Sequence, residues 1–169
     1  YFNACNNGFG GIVGVPHNFW GYQPAFDGEG YIGILPVEYT LIDNSYYTPI
    51  GVESVQCRLS TSLKPCKEYH FRMYISLSAL STHQLNTISI FLSADSVVLS
   101  DMEYQLNLHQ TWESPLQIFD TSGWQLVEGN FFANGGEKFL SIGYFGEHDE
   151  TELSINDTSL WWYPDKIVE

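Results

Sequence analysis

Basic side chains are scarce in this sequence. Six Lys plus Arg stand against 20 Asp plus Glu in 169 residues, a formal charge of −14 at pH 7. A surface of that sign repels phosphate backbones, which excludes nucleic acid as a partner. It suits divalent cations or neutral ligands, although a solvated acidic surface accounts for the charge by itself. Long apolar runs are missing too: no stretch approaches the 18 residues a membrane-spanning helix needs, so no membrane insertion is expected of this domain. No basic-then-apolar leader opens the sequence, so an export signal is expected to have been removed or to lie outside this chain.

Cysteine is the third scarcity, with 3 in the chain. Cys57 and Cys66 bracket "CRLSTSLKPC", a loop short enough for a disulfide to close, and Cys5 is left over in "YFNACNN". Loop-closure entropy puts the value of so short a bridge at about 2.5–3 kcal/mol. An odd cysteine in a secreted protein points to a partner elsewhere or a free thiol. Three unpaired cysteines in a cytosolic protein remain the alternative.

Catalytic signatures are likewise missing. "GFGGIVG" (8–14) is glycine-rich, but Val13 stands where a dinucleotide fingerprint needs glycine, and neither strand nor helix is indicated around it. The sequence holds no G-x-S-x-G elbow, no H-E-x-x-H and no paired C-x-x-C. Its five histidines lie scattered without ligand spacing. Twenty acids make some carboxylate pair inevitable, so a glycosidase cannot be argued from their presence.

What the chain has is β patterning and aromatic surface. Residues 68–78 alternate, with Tyr69, Phe71, Met73, Ile75 and Leu77 on one face and His70, Arg72, Tyr74 and Ser76 on the other. Residues 53–63 alternate likewise, and further strands are expected at 30–35, 86–93, 115–119, 123–133, 137–145 and 159–168. Residues 77–85 have room for one helical turn. Turn chemistry ("SLKPC", "DTSG", "NGGE", "GEHDE") punctuates these runs. Eight or so strands at this spacing predict an all-β fold, a two-sheet β-sandwich of the jelly-roll kind, as a single domain over residues 1–169.

Aromatics make up 16% of the residues, and five of them fall within "NFWGYQPAFDGEGYIGI" (18–34). Sugars lay their C–H faces on such rings while polar side chains satisfy the hydroxyls. Trp20, Tyr22, Tyr46, Tyr47, Trp112 and the Trp161–Trp162 pair fall in loop-like sequence and are the candidate platforms. Phe19, Phe26 and Tyr31 read as packing positions, and Trp124 as the head of a core strand. Arg58 and Arg72, with His70, are expected to line a groove on the polar face of adjacent strands; pairing with carboxylates is the commoner use of such arginines.

The stretches "YFNAC" (1–5), "GVPHNFWGYQPAFDGEGYIGI" (14–34) and "GWQLVEGNFFANGGEKFLSIGYF" (123–145) resemble a domain of Bacteroidetes surface proteins. That domain is found upstream of OmpA-like domains or of gliding-motility and type IX sorting domains. "EYHFRMYISLSALS" (68–81) and "WWYPDKIVE" (161–169) fall where its remaining blocks belong, so the resemblance spans essentially the whole chain. It implies a galactose-binding-like jelly roll, the architecture of many carbohydrate-binding modules. It also implies a secreted or cell-surface, outer-membrane-associated location within a larger polypeptide. Export in turn implies the Cys57–Cys66 disulfide.

Two departures carry expectations. The family's first strand and early cysteine have no counterpart here, so the domain is expected to lack its first strand, next to 159–168, and Cys5 to be half of a bridge to an upstream cysteine. The family's closing "IDDV" is "PDKI" here: Asp165 is kept and Lys166 replaces the second acid. Related jelly rolls hold a structural Ca²⁺ near that segment, which implies Asp165 as a ligand with Asp27 and Glu29 from the early loop. The function implied is a non-catalytic extracellular module that binds carbohydrate. The alternative is a structural or adhesion domain mediating protein–protein assembly in a surface, gliding or envelope complex, and an enzyme such as a glycoside hydrolase or lyase ranks third.

Overall fold

In the computed structural model the described residues are 2–5, 12–35, 38–42, 46–51, 53–81, 83–85, 87–97, 111–114, 120–145 and 153–155. Among them the chain is all-β, without a helix, and its strands form several small antiparallel sheets. Near the N-terminus lie four two-residue strands, β1 (Phe2–Asn3), β2 (His17–Asn18), β3 (Gly21–Tyr22) and β4 (Gly30–Tyr31), with β1 paired to β4 and β2 to β3. A hairpin follows, β5 (Glu38–Ile42) on β6 (Tyr46–Gly51).

The centre of the molecule is built from β7 (Val55–Arg58), β8 (Glu68–Ile75), β10 (Ser89–Ser93), β11 (Trp112–Glu113), β12 (Gln125–Phe132) and β13 (Phe139–Gly143). Four of these form one sheet in the order β11-β10-β13-β7, and β8 pairs with β12 along eight residues in a second. A last pair joins β9 (His83–Leu85) to β14 (Leu153–Ile155). The strands β5, β6, β9 and β14 are described by their backbone alone.

The alternation read from residues 68–78 is what welds the centre together. Tyr69, Phe71, Met73 and Ile75 turn inward while Glu68, His70 and Arg72 face solvent, and β12 alternates in step around the fully buried Val127. Val127, Leu77 and Ile88 form the core, with Met73, Ile75, Trp112 and Ile142 packed on them, so side chains of the β8–β12 pair meet side chains of the four-stranded sheet. In β10 the consecutive residues Ser89 and Ile90 are both buried, so this strand is covered on both faces.

Several strand expectations shift. The 53–63 run keeps strand pairing only at β7. Beyond it Leu59 and Leu63 donate their N–H groups to the carbonyls of Lys138 and Glu137, which makes that stretch a loop zipped onto another loop. The run at 30–35 shrinks to β4, and of the run at 86–93 the residues Ser89–Ser93 pair as β10, while β9 precedes it at His83–Leu85. Residues 77–85 hold a single turn, Ser81 N–H to Ser78 C=O, ahead of β9. The β5–β6 hairpin falls where the sequence reads as loop, and Pro49, which lacks an N–H, lies within β6. The pairing accommodates it with a register shift at Glu38/Tyr39, next to the Tyr39–Pro49 partnership. The runs at 115–119 and 159–168, and with the latter the test of a missing first strand, lie outside the described residues.

The expected Cys57–Cys66 disulfide is not formed, and both thiols are exposed. The chain holds the two cysteines against different neighbours. Cys57 sits in β7 opposite Leu140, whereas the backbone N–H of Cys66 is bonded to Ala133 C=O (2.9 Å), beyond the end of β12. The Cys5 thiol faces the Glu29 carboxylate at 3.9 Å.

Candidate functional site

The β2–β3 hairpin turns through Phe19 and Trp20, and its shape is fixed by short hydrogen bonds. Asn18 does two jobs: its Oδ1 accepts from the Trp20 N–H (2.9 Å) and its Nδ2 donates to the Tyr31 hydroxyl (2.7 Å). From the segment that follows β8 the Ser78 hydroxyl donates to Trp20 C=O (2.7 Å). Gly21 has φ +123°, and a Cβ there would stand 2.9 Å from the Ala79 Cβ, so both conformation and space demand glycine.

Around this hairpin the rings form a continuous chain. Phe19 meets Trp20 edge to face (5.2 Å between centroids), and Trp20 meets the buried Phe2 the same way (5.6 Å). Phe2 stacks on Tyr31 (5.0 Å), and Tyr31 abuts Trp124 (5.5 Å). Trp124 reaches Phe26 (6.4 Å), which lies flat on Tyr74 of β8. The Trp124 indole N–H donates to Pro24 C=O (2.8 Å), pinning the 24–26 loop beneath. His17 packs its ring edgewise on Tyr22 (4.8 Å). Partial burial holds the Tyr31 phenol above its ordinary pKa of 10.0, against the opposing hydrogen bond from Asn18.

The inner members of the chain are covered, yet the outer ones are open. Phe19 is 54% exposed, Trp20 43%, Tyr22 55% and Phe26 51%. Ile12, Ile32, Leu35 and Leu80 are exposed as well. Apolar side chains exposed along 12–35, with Leu80 besides, make this stretch the candidate interaction surface.

Of the residues singled out in the sequence, Trp20 and Tyr22 are brought together here. Others are not. Trp112 is no loop platform: it lies in β11 opposite Ile90, packs on the core and meets Phe71 edge to face at 4.5 Å. Tyr46 and Tyr47 belong to strand β6, opposite Ile42 and Leu41, not to a loop. Arg58 and Arg72 share no groove of adjacent strands, because β7 pairs with β13 and β8 with β12. Arg72 stands opposite Glu128, and His70 Nε2 is 3.5 Å from Glu128 Oε2. Phe19 and Phe26, read as packing positions, pack on Trp20 and on Tyr74 and Trp124 but are half exposed. The Pro-Ala-Phe-Asp-Gly setting of Phe26 was the available signal, since a ring between turn formers has no strand face to bury it.

Asp27 and Glu29 are exposed; Asp27 Oδ1 accepts the Gly28 N–H (2.8 Å), and Glu29 is turned to Cys5. Among the described residues no three His, Cys, Asp or Glu side chains converge as metal ligands. Asp165, Trp161 and Trp162 lie outside the described residues. No protein-family model, no curated protein and no solved structure matches the chain.

Proposed function

We propose that the protein is a non-catalytic module that binds carbohydrate outside the cell, and that its ligand face is the aromatic hairpin around Trp20, Tyr22 and Phe26. The carrying observation is that these rings are open to solvent while Asn18 and Ser78 tie the Trp20 backbone, Tyr22 pairs with His17, and the Trp124 indole ties Pro24, two residues before Phe26. A platform ordered before binding loses little entropy on contact, which is what weak ring-face contacts with a sugar require. The resemblance to Bacteroidetes surface domains supports an exported, surface-attached setting. The packing of the β8–β12 pair on the four-stranded sheet supports a jelly-roll sandwich.

A second reading has its own observation. Ile12, Ile32, Leu35 and Leu80 are exposed large aliphatic side chains, and such groups suit a protein partner in an envelope or adhesion assembly. A glycan array probed with the whole chain separates the two. Reproducible hits that disappear in Trp20→Ala and Phe26→Ala support the carbohydrate module. A blank array together with concentration-dependent self-association supports assembly.

A further inference from the structure

The outward face of the β8–β12 pair adjoins the segment that follows the aromatic hairpin, because Phe26 of the β3–β4 loop lies on Tyr74 of β8. The strand register divides that face into four cross-strand rows: Tyr74 with Leu126, Arg72 with Glu128, His70 with Asn130, and Glu68 with Phe132. Glu68, His70, Arg72, Leu126, Glu128, Asn130 and Phe132 are all exposed, Phe132 most of all at 68%. Six residues of strand separate the first row from the last, about 20 Å at the usual rise. The Tyr74–Leu126 row thus stands at one end, and at the other an exposed phenyl ring beside the Glu68 carboxylate. Between them lie a guanidinium, a carboxylate, an imidazole and an amide.

That order argues against a protein partner. Interfaces between proteins bury an apolar centre inside a polar rim, whereas here the middle rows are polar and the rings stand at the two ends, Phe132 with Glu68 beside it. Charge argues further. A polyanion meets a chain of net charge −14, and a polycation meets Arg72 and His70 in the middle of the face. Donors and acceptors in close alternation, nearly balanced in charge, match the paired hydroxyls of a neutral sugar, with fork geometry at Arg72 suited to vicinal oxygens.

We propose that the face Tyr74–Leu126 to Glu68–Phe132 is an elongated subsite for an unbranched, uncharged oligosaccharide. In it the Phe26–Tyr74 and Phe132 rings hold sugar faces at the two ends, and Arg72, Glu128, His70 and Asn130 hold hydroxyls between. The inference rests on the carbohydrate reading above and adds the shape, charge and length of the ligand.

The test is titration calorimetry of the whole chain with cellohexaose, xylohexaose, mannohexaose and laminarihexaose, their disaccharides, and oligogalacturonate as the charged control. The expected result is that at least one neutral hexasaccharide binds, its disaccharide binds at least about tenfold more weakly, and oligogalacturonate does not bind. Arg72→Ala and Asn130→Ala are each expected to weaken the hexasaccharide by about tenfold, the effect of losing one or two good hydrogen bonds, and to leave the disaccharide unchanged. These side chains are exposed, and unchanged melting curves would exclude a folding effect; Arg72→Lys, which keeps charge but not the fork, is expected to behave like Arg72→Ala. Equal affinity for hexasaccharide and disaccharide, or full binding by both variants when Trp20→Ala abolishes it, overturns the elongated subsite and leaves the hairpin platform standing. Binding of none of the neutral sugars overturns the carbohydrate reading, and the subsite with it.

Discussion

Phe26 lies face to face with Tyr74, ring centroids 3.6 Å apart and planes 16° from parallel, although the two residues are 48 positions apart in the chain. One ring comes from a loop of turn formers and the other from the outward face of a long strand, so the stack is the hinge between hairpin and sheet. Removing the Phe26 ring leaves Tyr74 in place and opens no core. Phe26→Ala is therefore expected to lower stability by only about 1 kcal/mol, the worth of an aromatic pair, while removing most ligand binding. Thermal melts and calorimetry on the same preparation check both halves; a large stability loss would mean that the ring is a packing residue after all.

Trp112 and Gly129 form the opposite kind of pair. A Cβ at Gly129 would stand 2.5 Å from the Trp112 indole, so the strand β12 carries glycine where the ring presses against its backbone. Gly129→Ala is expected to destabilise by about 1–3 kcal/mol through overpacking, and Trp112→Ala by about 3 kcal/mol through the cavity it leaves. Neither change touches the rings of the hairpin. Denaturant unfolding should show both losses, and disaccharide affinity of the folded fraction should stay at the wild-type level.

These two pairs also show what the sequence could and could not disclose. The period-two alternation at 68–78 was legible because one face of that strand meets the core and the other meets solvent. Trp112 was not, since a two-residue strand has no period, and an aromatic residue beside Thr, Glu and Ser looks like a loop. Phe26 shows the converse: it packs on Tyr74 as a packing position should, yet half of the ring is exposed, and pattern alone does not say how much of a ring is covered. The arginine groove failed because strands adjacent in sequence, β7 and β8, have different partners in space. Pairing across long separations, such as β12 on β8, is set by how the buried side chains fit together, not by order along the chain.

Glu137 offers a test of the loop clasp behind β7 and β8. Its carboxylate is buried and accepts the N–H groups of Asn134 (2.7 Å) and Gly135 (2.8 Å), while Gly135 and Gly136 both adopt positive φ to shape the turn. The same turn is bonded to Leu63 from both sides, Gly136 N–H to Leu63 C=O and Leu63 N–H to Glu137 C=O, each 2.9 Å. Glu137→Ala strips two donors of their acceptor and is expected to lower stability by about 2 kcal/mol. Glu137→Gln, which keeps one side-chain oxygen, should lose less. Hydrogen exchange at Asn134, Gly135 and Leu63 is expected to quicken together in the alanine variant; protection unchanged at Leu63 would disconnect the clasp from the carboxylate.

Asp120 ties acidity to the position of Trp124. Its Oδ1 accepts the Ser122 N–H (2.8 Å), the Ser122 hydroxyl (2.9 Å) and the Gly123 N–H (2.9 Å), and its backbone carbonyl accepts the Leu77 N–H (2.9 Å). The bonds from Ser122, backbone first and then hydroxyl, with that from Gly123, stabilise the charged form and hold this carboxyl below its ordinary value of 3.8. A carboxylate with a lowered folded pKa contributes stability that is present above its unfolded pKa and is lost as pH falls through the folded one. The turn it shapes leads straight into Trp124, whose indole touches both Tyr31 and Phe26. Asp120→Asn is therefore expected to melt at a lower temperature than wild type at pH 7, with the gap closing as the pH is taken well below 3.8. Trp124 fluorescence, read against the same titration in Asp120→Asn, should shift with the wild-type transition alone. A gap that stays constant down to the lowest pH at which the fold survives would show that the turn does not depend on the charge.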